Sequence, residues 1–201
     1  ANGLAPQNFT IEIQIRKSGG SPLNTLLFEV NYSPFKRTSL DFEKTGGFGD
    51  GGTNADMLGN GLALGDVNND GIDEIIVGAP FADSASGALH RAGRVDIYSG
   101  DNFQLLYSLY GSQANQRFGY SVQHAGDFDG DGDGDMLIHS WKLDRPHSVQ
   151  VFSGRTRTSI LTVENGSCLG LGSLASGDFD GDGRSDVAMG DPCNDSHKGR
   201  V

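Results

Sequence analysis

Gly126-Asp-Phe-Asp-Gly-Asp-Gly-Asp-Gly-Asp-Met-Leu-Ile-His139 decides the reading of this 201-residue chain, because it recurs. An earlier copy reads Gly65-Asp-Val-Asn-Asn-Asp-Gly-Ile-Asp-Glu-Ile-Ile-Val-Gly-Ala-Pro80. A later one reads Gly177-Asp-Phe-Asp-Gly-Asp-Gly-Arg-Ser-Asp-Val-Ala-Met-Gly-Asp-Pro192. Their leading aspartates, Asp66, Asp127 and Asp178, stand 61 and then 51 residues apart. A period of that length fits a four-stranded propeller blade and is long for a helical solenoid.

Working outward, each copy runs into a short apolar segment: Ile75-Ile76-Val77, Met136-Leu137-Ile138 or Val187-Ala188-Met189. β-Branched alternation at Gly93–Gly100 and Ser148–Gly154 predicts half-buried strands, and Gln104–Tyr110 predicts another. Upstream, Phe118-Gly119 and Leu169-Gly170 lie nine residues before Asp127 and Asp178. The first copy has Leu58-Gly59 eight before Asp66 and a separate Phe48-Gly49. No amphipathic helix competes, so the expected class is all-β. Residues 1–45 do not match the repeat but hold an alternating strand, Phe9–Ile15, and a second candidate at Leu26–Val30. They read as a degenerate blade or the edge of a preceding domain. The last copy stops at Lys198-Gly-Arg-Val201, inside the segment that reads Gly-Arg-Val-Asp-Ile-Tyr in the first. A strand ending there leaves ladder hydrogen bonds unmade, so the remaining blades are expected from a longer chain or another subunit.

The net charge is −11, from 26 acidic and 15 basic residues, and 13 of the acidic ones fall within Asp66–Glu74, Asp127–Asp135 and Asp178–Asp186. Acid concentrated this way reads as metal ligand rather than as a solvated tail. Without a Lys/Arg cluster to neutralise phosphates, nucleic-acid binding is disfavoured. An apolar run of 18 residues, as a membrane span requires, is absent from the sequence. The 31 glycines against 6 prolines suit tight turns between short strands. The opening at Ala1 and sequons at Asn8, Asn31, Asn165 and Asn194 fit a secreted glycoprotein. Cys168 and Cys193 both fall in the last copy. A disulfide between them would add about 3 kcal/mol in the chain-entropy account, and two buried thiols are the alternative.

Ca²⁺ takes six to eight oxygens, and a tight loop can present them from alternate positions around a turn-permitting glycine. Positions 1, 3, 5 and 9 are Asp66, Asn68, Asp70 and Glu74 in the first copy, with Gly71 at position 6. They are Asp127, Asp129, Asp131 and Asp135 in the second, with Gly132, and Asp178, Asp180, Asp182 and Asp186 in the third, with Gly183. The position-7 carbonyls of Ile72, Asp133 and Arg184 would add one oxygen each. About three Ca²⁺ ions are therefore expected. An EF-hand is excluded: its position-12 glutamate is replaced by Val77, Ile138 and Met189, all in strand-like runs.

The nine-residue loop, with Phe-Gly before it and Gly78-Ala79-Pro80 after it, resembles the FG-GAP repeat over residues 46–201. The resemblance implies blades of an integrin α-like β-propeller at 46–110, 111–160 and 161–201, the third truncated. It also implies calcium ligands at the positions named, on hairpins between the first two strands of each blade. Departures occur at Ile138-His139-Ser140-Trp141 and Gly190-Asp191-Pro192, and at Glu74, where the family shows Asp. The resemblance points to an extracellular or cell-surface module for adhesion or recognition of a protein or glycan ligand. Loops Phe81–Ala92 and Trp141–His147 are the candidates for contact. A lectin propeller and an accessory propeller of a larger secreted enzyme, such as a phospholipase, are the alternatives. A catalytic role is not expected. His90, His124, His139, His147 and His197 share no motif and read as surface or loop residues, no Gly-x-Ser-x-Gly elbow occurs, and Trp141 reads as packing.

Overall fold

The computed structural model describes the backbone of residues 7–16, 22–32, 48–49 and 54. It describes both backbone and side chains of 55–142, 146–164, 168–170, 174–193 and 198–201. Every regular element among the described residues is a β-strand. The chain divides into two compact units, Ala1–Glu43 and Lys44–Val201.

The first unit contains β1 (Gln7–Arg16) and β2 (Pro22–Tyr32), paired antiparallel with Asn8 opposite Asn31 and Ile11 opposite Phe28. The alternation at Phe9–Ile15 therefore marks the centre of a longer strand.

In the second unit, β3 (Phe48–Gly49) pairs with β4 (Asn54–Ala55). Next comes a four-stranded antiparallel meander of β5 (Gly61–Gly65), β6 (Glu74–Ala79), β7 (Arg94–Tyr98) and β8 (Leu105–Tyr110). A second meander follows: β9 (Phe118–Gly126), β10 (Asp135–Ser140), β11 (Ser148–Phe152) and β12 (Ser159–Glu164). The hairpin of β13 (Leu174–Gly177) and β14 (Asp186–Met189) closes the order. Strands β5 and β6 pack on β9, and β13 packs on β9 in turn. Repeated four-stranded meanders stacked in this way are blades of a partial β-propeller.

Burial explains the apolar runs. Successive strand residues face opposite sides of a sheet. Met136 and Ile138 join a core with Val67, Ile76, Val95, Ile97, Leu109, Phe118 and Val122, while Leu137 joins another with Ala125, Val149, Val151 and Leu169. Covered on both faces, β10 is buried along its whole length, so its sequence is continuous rather than alternating. The outermost strands β8 and β12 are largely exposed.

Cys168 and Cys193 form a disulfide with Cα atoms 5.4 Å apart, tying the segment before β13 to the segment after β14. This decides between the two readings of the cysteines, and the 25-residue separation corresponds to about 3 kcal/mol of loop-closure entropy.

The histidines correct an expectation. His139 is a fully buried residue of β10, and His147 is also buried, with Nε2 of His139 lying 3.3 Å from Nδ1 of His147. Both sit at the strand ends away from the Asp-rich loops, in the copy that departs from Gly-Ala-Pro. His90 is exposed as expected, and His197 lies outside the described residues. Burial, and then the neighbouring His147, push His139 down to about 4 from its ordinary 6.5. Burial also lowers His147, against the opposing charge of Asp191. Below pH 6.5 the unfolded chain takes up protons that folded His139 refuses until about pH 4. Stability present above pH 6.5 is therefore lost as pH falls through that window, by about 3 kcal/mol for His139. Urea midpoints at pH 7.5 and pH 5, both in saturating calcium, should show the loss, and His139→Gln should reduce it. An equal loss in that variant would assign the effect to other groups.

Trp141 also has packing partners. The Arg117 guanidinium lies 4.1 Å from its ring centroid, Tyr120 lies 5.4 Å away, and Arg117 reaches Phe81, in the turn after β6, at 5.1 Å.

Candidate metal centre

The three Asp-rich loops connect β5 to β6, β9 to β10 and β13 to β14, the first two strands of each sheet. Their backbones repeat. Gly71, Gly132 and Gly183 at position 6 have φ of 86°, 97° and 89°, in the left-handed region where a Cβ is strained. Position 4 is left-handed too, with Asn69 at 56°, Gly130 at 78° and Gly181 at 81°. Asn is among the non-glycine residues that best tolerate that region, so the substitution at Asn69 preserves the turn.

The same hydrogen-bond cascade winds each loop. Oδ2 of the position-1 Asp accepts from the position-6 N–H: Gly71 to Asp66 at 2.8 Å, Gly132 to Asp127 at 3.0 Å, Gly183 to Asp178 at 3.0 Å. Position 3 accepts from the position-5 N–H, at 2.9 Å for Asn68, 3.1 Å for Asp129 and 3.0 Å for Asp180. Position 5 accepts from the N–H of Ile72, Asp133 or Arg184, at 2.9, 2.9 and 2.8 Å. Position 9 reaches back to the position-2 N–H: Val67 to Glu74 at 3.1 Å, Phe128 to Asp135 and Phe179 to Asp186 at 2.8 Å. These are local side-chain to backbone bonds, and they turn carboxylates at alternate positions toward one centre.

Convergence is closest in the second and third loops. Carboxylate oxygens of Asp127, Asp129 and Asp135 lie within 4.8 Å of one another, as do those of Asp178, Asp180 and Asp182. Ligands held at about 2.3–2.6 Å from one Ca²⁺ lie no more than about 5 Å apart, so both clusters have the right size. An all-oxygen, carboxylate-rich donor set suits a hard cation rather than a soft one. Asp131 and Asp186 stand outside those two triplets, and Nε of Arg155 lies 3.7 Å from an Asp131 oxygen. In the first loop Asn68 spends its amide N–H on Glu74, at 3.2 Å.

The electrostatics follow the loops' depth. Burial raises the Glu74 and Asp135 carboxyls above their ordinary values, against N–H groups that favour ionisation. At Asp66 burial acts in the same direction but loses to the N–H groups of Gly71, Asp70, Asn68 and Asn69, so this carboxyl is held low. Two residues beyond the loop also grip the second loop. Gly154 donates its N–H to Asp135 at 3.2 Å, and Arg155 pairs with Asp133. Periodicity could not reveal the Arg155 contact, because the first copy has Asp101 at that position, whereas Gly154 repeats Gly100.

A family model described as FG-GAP repeat matches residues 58–98 and 171–201. The middle copy, with Ile138-His139-Ser140-Trp141 after its loop, falls outside the match. Integrin alpha-4 of Xenopus laevis is 32% identical over 155 residues, 69% of this chain and 15% of that protein. Integrin alpha-V of Gallus gallus is 30% identical over 149 residues, 67% of this chain and 14% of that protein. Integrin alpha-8 of Mus musculus is 35% identical over 127 residues, 61% of this chain and 11% of that protein. The chain thus spans 15% or less of the length of these relatives. Among solved structures, a rhamnogalacturonan lyase of Bacillus licheniformis aligns with a TM-score of 0.38 at 18% identity, covering 79% of this chain and 31% of that chain. By its matched repeats together with 30–32% identity to these integrin α-subunits over about two thirds of its length, the chain belongs to the FG-GAP repeat family.

Proposed function

We propose that this chain is part of a calcium-stabilised, extracellular β-propeller used for adhesion or ligand recognition rather than catalysis. One observation carries the calcium reading: three hairpins repeat the same oxygen register, left-handed turns and hydrogen-bond cascade. In this reading Asp66, Asn68, Asp70 and Glu74, then Asp127, Asp129, Asp131 and Asp135, then Asp178, Asp180, Asp182 and Asp186 are the ligands. The carbonyls of Ile72, Asp133 and Arg184 complete each set. When bound, Ca²⁺ neutralises facing carboxylates that otherwise repel. The cascade holds the carboxylates of the second and third loops convergent, and the disulfide secures the third. Blades would then occupy 46–110, 111 to the end of β12 at Glu164, and the rest of the chain to 201; the boundary expected at 160 falls inside β12, whose residues to Glu164 pair with β11.

The adhesion reading is supported by likeness to integrin α-subunits, with recognition assigned to the strand ends opposite the calcium loops. Phe81–Ala92, and Trp141 and His147 of the second candidate segment, lie at those ends, residues 143–145 being outside the described residues, and Arg117 already covers one face of Trp141, which argues against a free sugar platform. The immobilised chain, probed in calcium with suspended cells and with a glycan array, should retain cells through a protease-sensitive component and select no glycan. Glycan-specific binding without protein-dependent cell retention would replace the adhesion reading with a lectin.

A further inference from the structure

We propose that Asp133 and Arg155 form a positioning pair in which Asp133 takes the close contacts of the guanidinium and limits its approach to the calcium ligand Asp131. This rests on the calcium reading of the second loop and assigns a role to two side chains that the ligand register leaves unused. Asp133 contributes its carbonyl in that register, so its carboxylate is surplus, and the other loops carry Ile72 and Arg184 at this position.

Arg155 grips that surplus carboxylate with two parallel bonds: Nε to Oδ2 at 3.1 Å and Nη2 to Oδ1 at 3.0 Å. Its Nε also lies 3.7 Å from Oδ2 of Asp131. Two oxygens thus compete for one guanidinium, and the planar bidentate geometry decides for Asp133. The residue before Arg155 is tied to the same loop, because Gly154 donates its N–H to Asp135.

The sequence departs from its repeat at both positions together. Phe152-Ser153-Gly154-Arg155 corresponds to Tyr98-Ser99-Gly100-Asp101, so the first blade has Asp101 in place of the arginine and Ile72 in place of the aspartate. A blade with the cation carries the extra carboxylate, and a blade without the cation carries neither. Without Asp133, the guanidinium would pair with Asp131, withdraw a ligand oxygen and repel the incoming dication. Arg155 is about half exposed and Asp133 is mostly covered, so the pair sits at the loop's rim.

Four forms of the full chain test this: wild type, Asp133→Asn, Arg155→Gln and the double variant. Each is titrated with Ca²⁺ by calorimetry, the second loop's transition being identified by its loss in Asp129→Asn. Asp133→Asn should weaken that transition about tenfold, in the range of ligand-supporting residues. Adding Arg155→Gln should restore it to near wild type, although a further charged group has been removed. A double variant as weak as Asp133→Asn, or full affinity in Asp133→Asn alone, would overturn the pair's role. Absence of a second-loop transition in wild type would instead defeat the calcium reading beneath it. Melting in saturating calcium verifies that all four forms fold.

Discussion

Removing calcium should lower the melting temperature of this chain by roughly 15–30 °C. A ligand that binds only the folded state stabilises by about 2.7 kcal/mol when present at a hundred times its dissociation constant. Three such sites give about 8 kcal/mol, and a domain of 150–250 residues shifts by about 2–4 °C per kcal/mol. The physical origin is charge. The second and third loops each bring three carboxylates within 4.8 Å, and backbone N–H groups alone neutralise them poorly. Differential scanning calorimetry with millimolar Ca²⁺, then with chelator, checks the prediction, and Mg²⁺ serves as control. Magnesium prefers a smaller octahedral shell with retained waters and should recover only part of the loss. A shift under about 3 °C would mean that the loops stand as turns without help.

Phe118→Ala should cost about 4 kcal/mol even with calcium saturating. Phe118 is 1% exposed and stacks edge-on against Phe152 with ring centroids 5.4 Å apart. It joins the core shared by the two four-stranded sheets, beside Ile76, Val95 and Ile97 of the first and Val122, Met136 and Ile138 of the second. Its N–H bonds to the Ala92 carbonyl at 3.0 Å, so its backbone is fixed to the first sheet as well. That attachment limits collapse of the cavity, which keeps the cost near the upper part of the usual range. Urea unfolding in calcium should show a lower midpoint with an unchanged slope, because the surface exposed on unfolding is the same. A cost below about 1 kcal/mol would mean that the blades do not share this core.

The loops were legible because their requirements are local. A turn that passes twice through left-handed backbone demands glycine or asparagine, and alternate carboxylates meet only in such a turn, so the register is written in consecutive residues. The middle strands were legible for a related reason: coverage on both faces makes Met136-Leu137-Ile138 continuous. Strand β5 was not, because Gly61 and Gly65 at its ends read as turn residues. Packing accounts for them. A Cβ at Gly65 would run into the His124 ring, and one at Gly61 would lie 3.1 Å from the Val122 nitrogen. The neighbouring sheet requires those glycines, and no periodicity within one strand records a neighbour. Arg155 and Asp133, 22 residues apart, and His139 with His147 escaped for the same reason. Side chains that meet only after strands pair leave no mark at fixed spacing.

Equilibrium dialysis against calcium, counting bound ions per chain, tests the central claim most directly. The account predicts three ions for the wild-type chain and two for a chain carrying Asp129→Asn with Asp131→Asn, or the paired changes Asp66→Asn with Asp70→Asn or Asp180→Asn with Asp182→Asn. No bound calcium, or a count that these substitutions leave unchanged, would contradict it.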